Sequence, residues 1–136
     1  MREGLREHKG TSQRSEEEAG EGLSGKMGTG WRRGLIMKVM MDLCVVPLGA
    51  GVSLSEYVAA CERVLKGAGL DIMLHAFGTN VEGEWDAVFA AVKRCHEVIH
   101  EMGAPRVCTI IKLGTRTDRD QTLNDKVTSV RAKLGE

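Results

Sequence analysis

The sequence predicts an α+β fold: a ferredoxin-like βαββαβ sandwich with an additional C-terminal helix. Three observations carry that reading. Stretches 38–48, 70–77 and 106–113 alternate with the two-residue period of a strand, and 79–82 adds a short return strand. Stretches 53–68 and 84–102 repeat apolar residues at helical spacing. Their order makes two split β-α-β units, whose right-handed crossovers give strand order 4-1-3-2 with both helices on one face.

Along the first strand, Val39, Met41, Leu43 and Val45 share one side, and Met40, Asp42, Cys44 and Val46 share the other. Pro47 is expected to end it, because proline cannot donate to a ladder. Gly49-Ala50-Gly51-Val52 reads as a turn, and Ser53 with Glu56 three residues on reads as a capping box. Tyr57, Cys61, Val64, Leu65 and Ala68 form the stripe of the first helix, with Gly67 and Gly69 as its stop. The second strand places Ile72, Leu74 and Ala76 on one face and Met73, His75 and Phe77 on the other. Gly78 is the turn point, and Gly83 is expected to break the return strand.

The second helix carries Trp85, Val88, Phe89, Val92, His96 and Ile99 as its stripe, with Glu84 and Asp86 favourable in its first turn. Gly103 and Pro105 stop it, the fourth strand follows, and Thr122 caps a last helix with the stripe Leu123, Val127, Val130 and Leu134. This leaves one sheet face uncovered, carrying Asp42, Cys44, Val46, Met73, His75, Phe77, Cys108 and Ile110, with Arg106 and Lys112 towards its edges. A face that apolar is expected to pack on a second subunit, making a homo-oligomer.

Composition separates two segments. Residues 1–36 contain 8 of the 17 glycines but only 8 hydrophobic residues. Such a segment buries too little surface to offset its chain entropy, so a disordered Gly-rich extension is expected over 1–36 and one folded domain over 37–136. Met37 is accordingly expected to be the functional start. Equal numbers of acidic and basic residues, 19 of each, argue against nucleic acid as a partner. No apolar run is long enough for a membrane span. Cys44, Cys61, Cys95 and Cys108 form no C-x-x-C pair, and no signal peptide precedes them, so a cytoplasmic protein with reduced thiols is expected.

Two strings invite chemistry. His96-Glu97-Val98-Ile99-His100 fits the H-E-x-x-H pattern of zinc hydrolases. His96 shares its stripe with Val92 and Ile99, however, and the position of a third ligand holds Arg106, so no metal is expected. The other string, from Pro47 to Ser55, is a strand, a glycine turn and a helix start. There the backbone at Gly49 and Gly51, with Ser53 and Ser55, can meet a polar ligand. It is neither a dinucleotide fingerprint nor a P-loop, since Leu54 replaces the third glycine and no Gly-Lys-Ser/Thr follows. Asp42 in an apolar strand needs a partner, either Arg106 or Lys112 or a cationic ligand.

Leu43 to Gly51 followed by Ser53, Ser55 and Tyr57-Val58 resembles the first strand and helix start of the small thiamine-binding protein-like family. Phe77-Gly78-Thr79 with Glu82-Gly83, then Val88-Phe89 and Val92-Lys93, resembles its hairpin and second helix, and 101–107, 111–112 and 123–127 its end. The resemblance covers 38–134 and implies a ferredoxin-like fold, assembly into dimers and tetramers, and binding of thiamine or its pyrimidine part without a known catalytic step. This sequence departs at Ala76-Phe77, where many relatives have Pro-Met, and at Trp85, where Leu is common.

Thiamine offers an aminopyrimidine, a thiazolium cation and a hydroxyethyl arm. Phe77 or Met73 suit stacking, Ser53, Ser55 and Thr79 suit the amine, Asp42 suits the charge, and His75 faces a ligand or an interface. The leading expectation is a non-enzymatic, homo-oligomeric binding protein for thiamine or its hydroxymethylpyrimidine moiety, with no cofactor. The alternatives are an oligomeric structural or regulatory module without a ligand, and an enzyme. A pocket lined by Asp42, Phe77 and Thr79 favours the first.

Overall fold

The computed structural model describes residues 36–136; the expected Gly-rich extension, Ile36 apart, lies outside the described residues. The elements are β1 (Lys38–Leu48), α1 (Ser55–Gly67), β2 (Asp71–His75), β3 (Gly78–Glu84), α2 (Trp85–Glu101), β4 (Arg106–Thr115) and α3 (Leu123–Leu134). The strands form one antiparallel sheet in the order β2-β3-β1-β4, which is the expected order. Among the described residues no helix is long and apolar enough to cross a membrane.

Alternation decides which face is buried. Val39, Met41 and Leu43 point to the helix side and are buried with Val81 against Cys61, Leu65, Val88, Val92, Cys95 and Ile99 of α1 and α2. Each large side chain of this kind contributes about 1.5–3 kcal/mol when fully buried. Trp85 and Phe89 pack on the same core with ring centroids 4.9 Å apart. At the α1–α2 contact the Cys95 thiol donates to the Cys61 carbonyl at 3.9 Å. Its neighbour Cys61 and its own burial both push the Cys95 thiol up from its ordinary pKa, so it remains a neutral packing group.

Four local expectations are corrected. Pro47 does not end β1: it is paired with Val107, at a place where β1 has β4 as its one sheet neighbour, so no second ladder needs its missing N–H. Ser53 and Glu56 form no capping box; Leu54 is the N-cap of α1, without a side-chain cap bond, and Ser53 lies outside the helix. Strand β2 stops at His75, and Ala76-Phe77 is the two-residue turn to Gly78, so Phe77 leaves the sheet face. Gly83 does not break β3. It pairs with Val39, and a Cβ there would sit 2.6 Å from Leu70 Cδ2 and 3.3 Å from Val88 Cγ2, so glycine lets both close over the strand.

The expected Thr122 cap is present: Thr122 Oγ1 accepts from Asp125 N at 3.0 Å, and the Asp125 carboxylate accepts from Thr122 N at 2.9 Å. Helix α3 nevertheless has no buried residue.

Candidate ligand-binding site

Strand lengths create the site. Ladder pairing between β1 and β3 stops at Leu43 opposite Thr79, because β3 begins at Gly78. From Cys44 onward β1 pairs with β4 alone. The result is a notch between the free edge of β1, the β2–β3 turn and the flank of α1. It forms a half-open cavity of about 320 Å³, near the lower end of the ~300–1,000 Å³ common for small-molecule sites.

Leu43 to Val46 form one wall, Ala76, Phe77 and Gly78 another, and Leu54, Val58, Cys61 and Leu65 the third. The floor is polar: the buried Thr79 hydroxyl donates to Glu62 Oε1. Among the described residues Glu62 is the one carboxylate in the lining, and no Lys or Arg lines it. Such a cavity suits a ligand that donates hydrogen bonds or carries positive charge. An open groove of about 660 Å³ between α1 and β2 adjoins it through Val58, Glu62 and Leu74. The groove is larger, but the notch is walled by three elements and holds the polar floor, so the notch is the better site.

At the rim, His75 Nε2 lies 2.7 Å from Asp42 Oδ1, and His75 Nδ1 accepts from the Phe77 N–H at 3.3 Å. A carboxylate accepts and a backbone N–H donates, so these partners require the Nε2–H tautomer.

The structure brings His75, Phe77 and Thr79 to the notch together. Asp42 does not line it; its partner is His75, rather than Arg106 or Lys112. The glycine turn is set apart. Gly49 has φ +76°, and a Cβ there would sit 3.1 Å from Pro105 Cγ, so the turn packs on the segment after α2. Gly51 and Ser53 line neither cavity, and Ser55 borders the open groove with its hydroxyl 3.4 Å from that of Ser53.

Glu62 was not among the residues singled out from the sequence. Its signal was an acid between Val58 and Leu65, four and three residues away on one helix face. The H-E-x-x-H string serves packing: His96 Nε2 is 2.6 Å from Thr109 Oγ1 on β4, and His100 Nδ1 donates to the Ala104 carbonyl at 2.8 Å.

Fold and notch together define a ferredoxin-like α+β domain with a half-open cavity at the free end of its first strand. The model of the thiamine-binding protein family matches residues 41–131, and the chain belongs to that family. It is 59% identical over 104 residues to the UPF0045 protein sll0230 of Synechocystis, covering 76% of this chain and 86% of that one. It is 42% identical over 101 residues to the UPF0045 protein ECM15 of Eremothecium gossypii, covering 74% and 96%. Among solved structures it is similar to the protein MJ1052 of Methanocaldococcus jannaschii, with a TM-score of 0.66 and 30% identity over 70% of this chain and 97% of that one.

Proposed function

We propose that the protein binds thiamine, or its hydroxymethylpyrimidine moiety, in the notch, and catalyses no reaction on it. The observation that carries this reading is the three-walled cavity in which, among the described residues, Glu62 is the one carboxylate and no Lys or Arg lines the walls. An exocyclic amine is a donor and suits the Glu62 carboxylate. A flat ring suits the slot between the free edge of β1 and the Phe77 side, where the β1 backbone groups past Leu43 that face away from β4 have no partner strand among the described residues. A thiazolium cation meets no like charge there. Both His75 nitrogens are engaged, which supports binding without turnover. The family's name agrees with this ligand class.

Calorimetric titration of the full chain with thiamine and with hydroxymethylpyrimidine tests it. Heat of binding is expected with at least one, and the ligand should be recovered unchanged. Glu62→Gln should weaken binding about tenfold, the size of one charge-assisted hydrogen bond. No heat with either, at two temperatures, sinks the reading.

Assembly belongs to the same proposal. The face opposite α1 and α2 exposes Ile110 at 64% and Met73 at 43%, and a second copy is the occupant that the resemblance implies. Light scattering should give a dimer or tetramer mass, and Ile110→Asp should lower it. A monomeric native protein refutes self-association and leaves the ligand reading standing.

A further inference from the structure

We propose that His75 is a positioning residue: its ring, held as the Nε2–H tautomer by Asp42, fixes Phe77 as a wall of the notch, and protonation of the ring releases that wall. This rests on the notch being the ligand site.

Phe77 lines the cavity yet is 87% exposed, and it takes no part in the core cluster. Nothing in the core therefore fixes its ring. Its backbone does, and that backbone is a two-residue turn tied by the Phe77 N–H to His75 Nδ1 at 3.3 Å. The acceptor exists only while Nδ1 keeps its lone pair. The 2.7 Å bond from Nε2 to Asp42 puts the ring's single proton on the far nitrogen and leaves Nδ1 free to accept. A second proton turns Nδ1 into a donor that faces the Phe77 N–H, and that bond is lost.

Charges around the ring decide what survives. Asp42 faces it from β1, Lys112 stands across from Asp42 on β4, and Asp71 lies at the far end of its own strand. Strand β3 contributes the uncharged Gly78 and Asn80, and Glu62 of α1 is engaged with Thr79. The Asp42 carboxylate pairs better still with a charged imidazole. Acid therefore keeps the hairpin on the sheet while the turn loses Phe77. Ligand affinity and fold stability respond differently to the same proton.

Two substitutions separate the two bonds. In His75→Asn an amide oxygen stands at the Nδ1 position and still accepts from Phe77. In His75→Gln the longer side chain reaches towards Asp42 and not the turn. With hydroxymethylpyrimidine and thiamine as probes on the full chain, His75→Gln should bind about tenfold more weakly and His75→Asn within about twofold of native. On acidification, native affinity should fall relative to His75→Asn, because only the native ring gains a proton at the turn acceptor. The ligand's own protonation is common to both proteins and cancels in that ratio. Nitrogen NMR of the neutral ring in the ligand-free native protein should show the Nε2–H tautomer, whatever the variants do.

An Nδ1–H tautomer, parallel pH profiles, or equal losses in the two variants overturn the positioning role. Failure of both probes to bind a native protein with the Nε2–H tautomer strikes the notch reading instead.

Discussion

Replacing Gly78 with Ala should destabilise the fold by about 3 kcal/mol, in the range of a forced steric insertion, and remove ligand binding with it. A Cβ at Gly78 would stand 2.6 Å from the Leu43 carbonyl oxygen and 3.3 Å from its carbon. Those are backbone atoms of a central strand, and Leu43 is 3% exposed in the core, so they cannot swing aside as a side-chain tip can. Relief comes only if the start of β3 lifts away from β1. Lifting it breaks the Thr79–Glu62 bond at the notch floor and the Asp42–His75 bond at its rim together. Urea unfolding measures the loss, and titration of the same sample measures the binding. Gly114→Ala is the control, since nothing lies within 4 Å of its Cβ position and it should stay within about 0.5 kcal/mol of native. Equal stability of the two variants would show that the strands do not approach as closely as described.

That one contact also shows where sequence reading reaches its limit. Period and order define the elements, because burying one face of a sheet forces alternation. They place Asp42, Cys44, Met73 and His75 correctly on the face away from α1 and α2. The turn was hidden because Ala76 and Phe77 continue the alternation of β2 without a break. The strand ends at the two-residue turn that brings Gly78 back opposite His75, and Gly78 there lies close against Leu43, a tertiary contact with no local pattern. The serine-glutamate spacing at α1 is a genuine capping pattern, yet the chain enters the helix one residue later through Leu54.

In the site, His75 and Phe77 were legible as open-face residues of the second strand, and Thr79 as a hydroxyl just past the Gly78 turn point. Glu62 was not, because a lone acid on an amphipathic helix ordinarily faces water. Asp42 was rightly read as needing a partner, but the two cations named for it lie on β4, and the partner is a ring on β2. Register alone pairs Asp42 with Lys112; only side-chain geometry shows that the carboxylate turns to His75 instead.

Removing the Glu82 carboxylate should detach α3 while leaving the sheet intact. Glu82 is 3% exposed on the sheet face away from α1 and α2. One of its oxygens meets Lys38 Nζ at 2.7 Å, and the other accepts from the Leu123 N–H at 2.6 Å, at the start of α3. That helix spans 12 residues and buries none of them. A helix of this length is marginal in water on its own, so its order depends on what ties its first turn down. Among the described residues two hydrogen-bonding ties hold that turn, the Thr122–Asp125 box and Glu82, and of these Glu82 belongs to the sheet. Glu82→Ala removes that anchor and leaves Lys38 without its partner, a loss of about 2–3 kcal/mol for bonds to a charged group. Amide exchange over 123–134 should accelerate sharply while the protection of β1 and β3 remains. Glu82→Gln keeps an acceptor for Leu123 and should fall between. Acid should add to the effect. The Thr122 backbone N–H and hydroxyl hold the Asp125 carboxyl below its usual range, so its contribution is complete above the ordinary carboxylate pKa and is lost as pH falls through the lowered value. Unchanged protection of α3 in Glu82→Ala would mean that something other than this chain's sheet holds the helix. A second copy packed on the Val130 and Leu134 stripe, 58% and 68% exposed, would then be the first place to look.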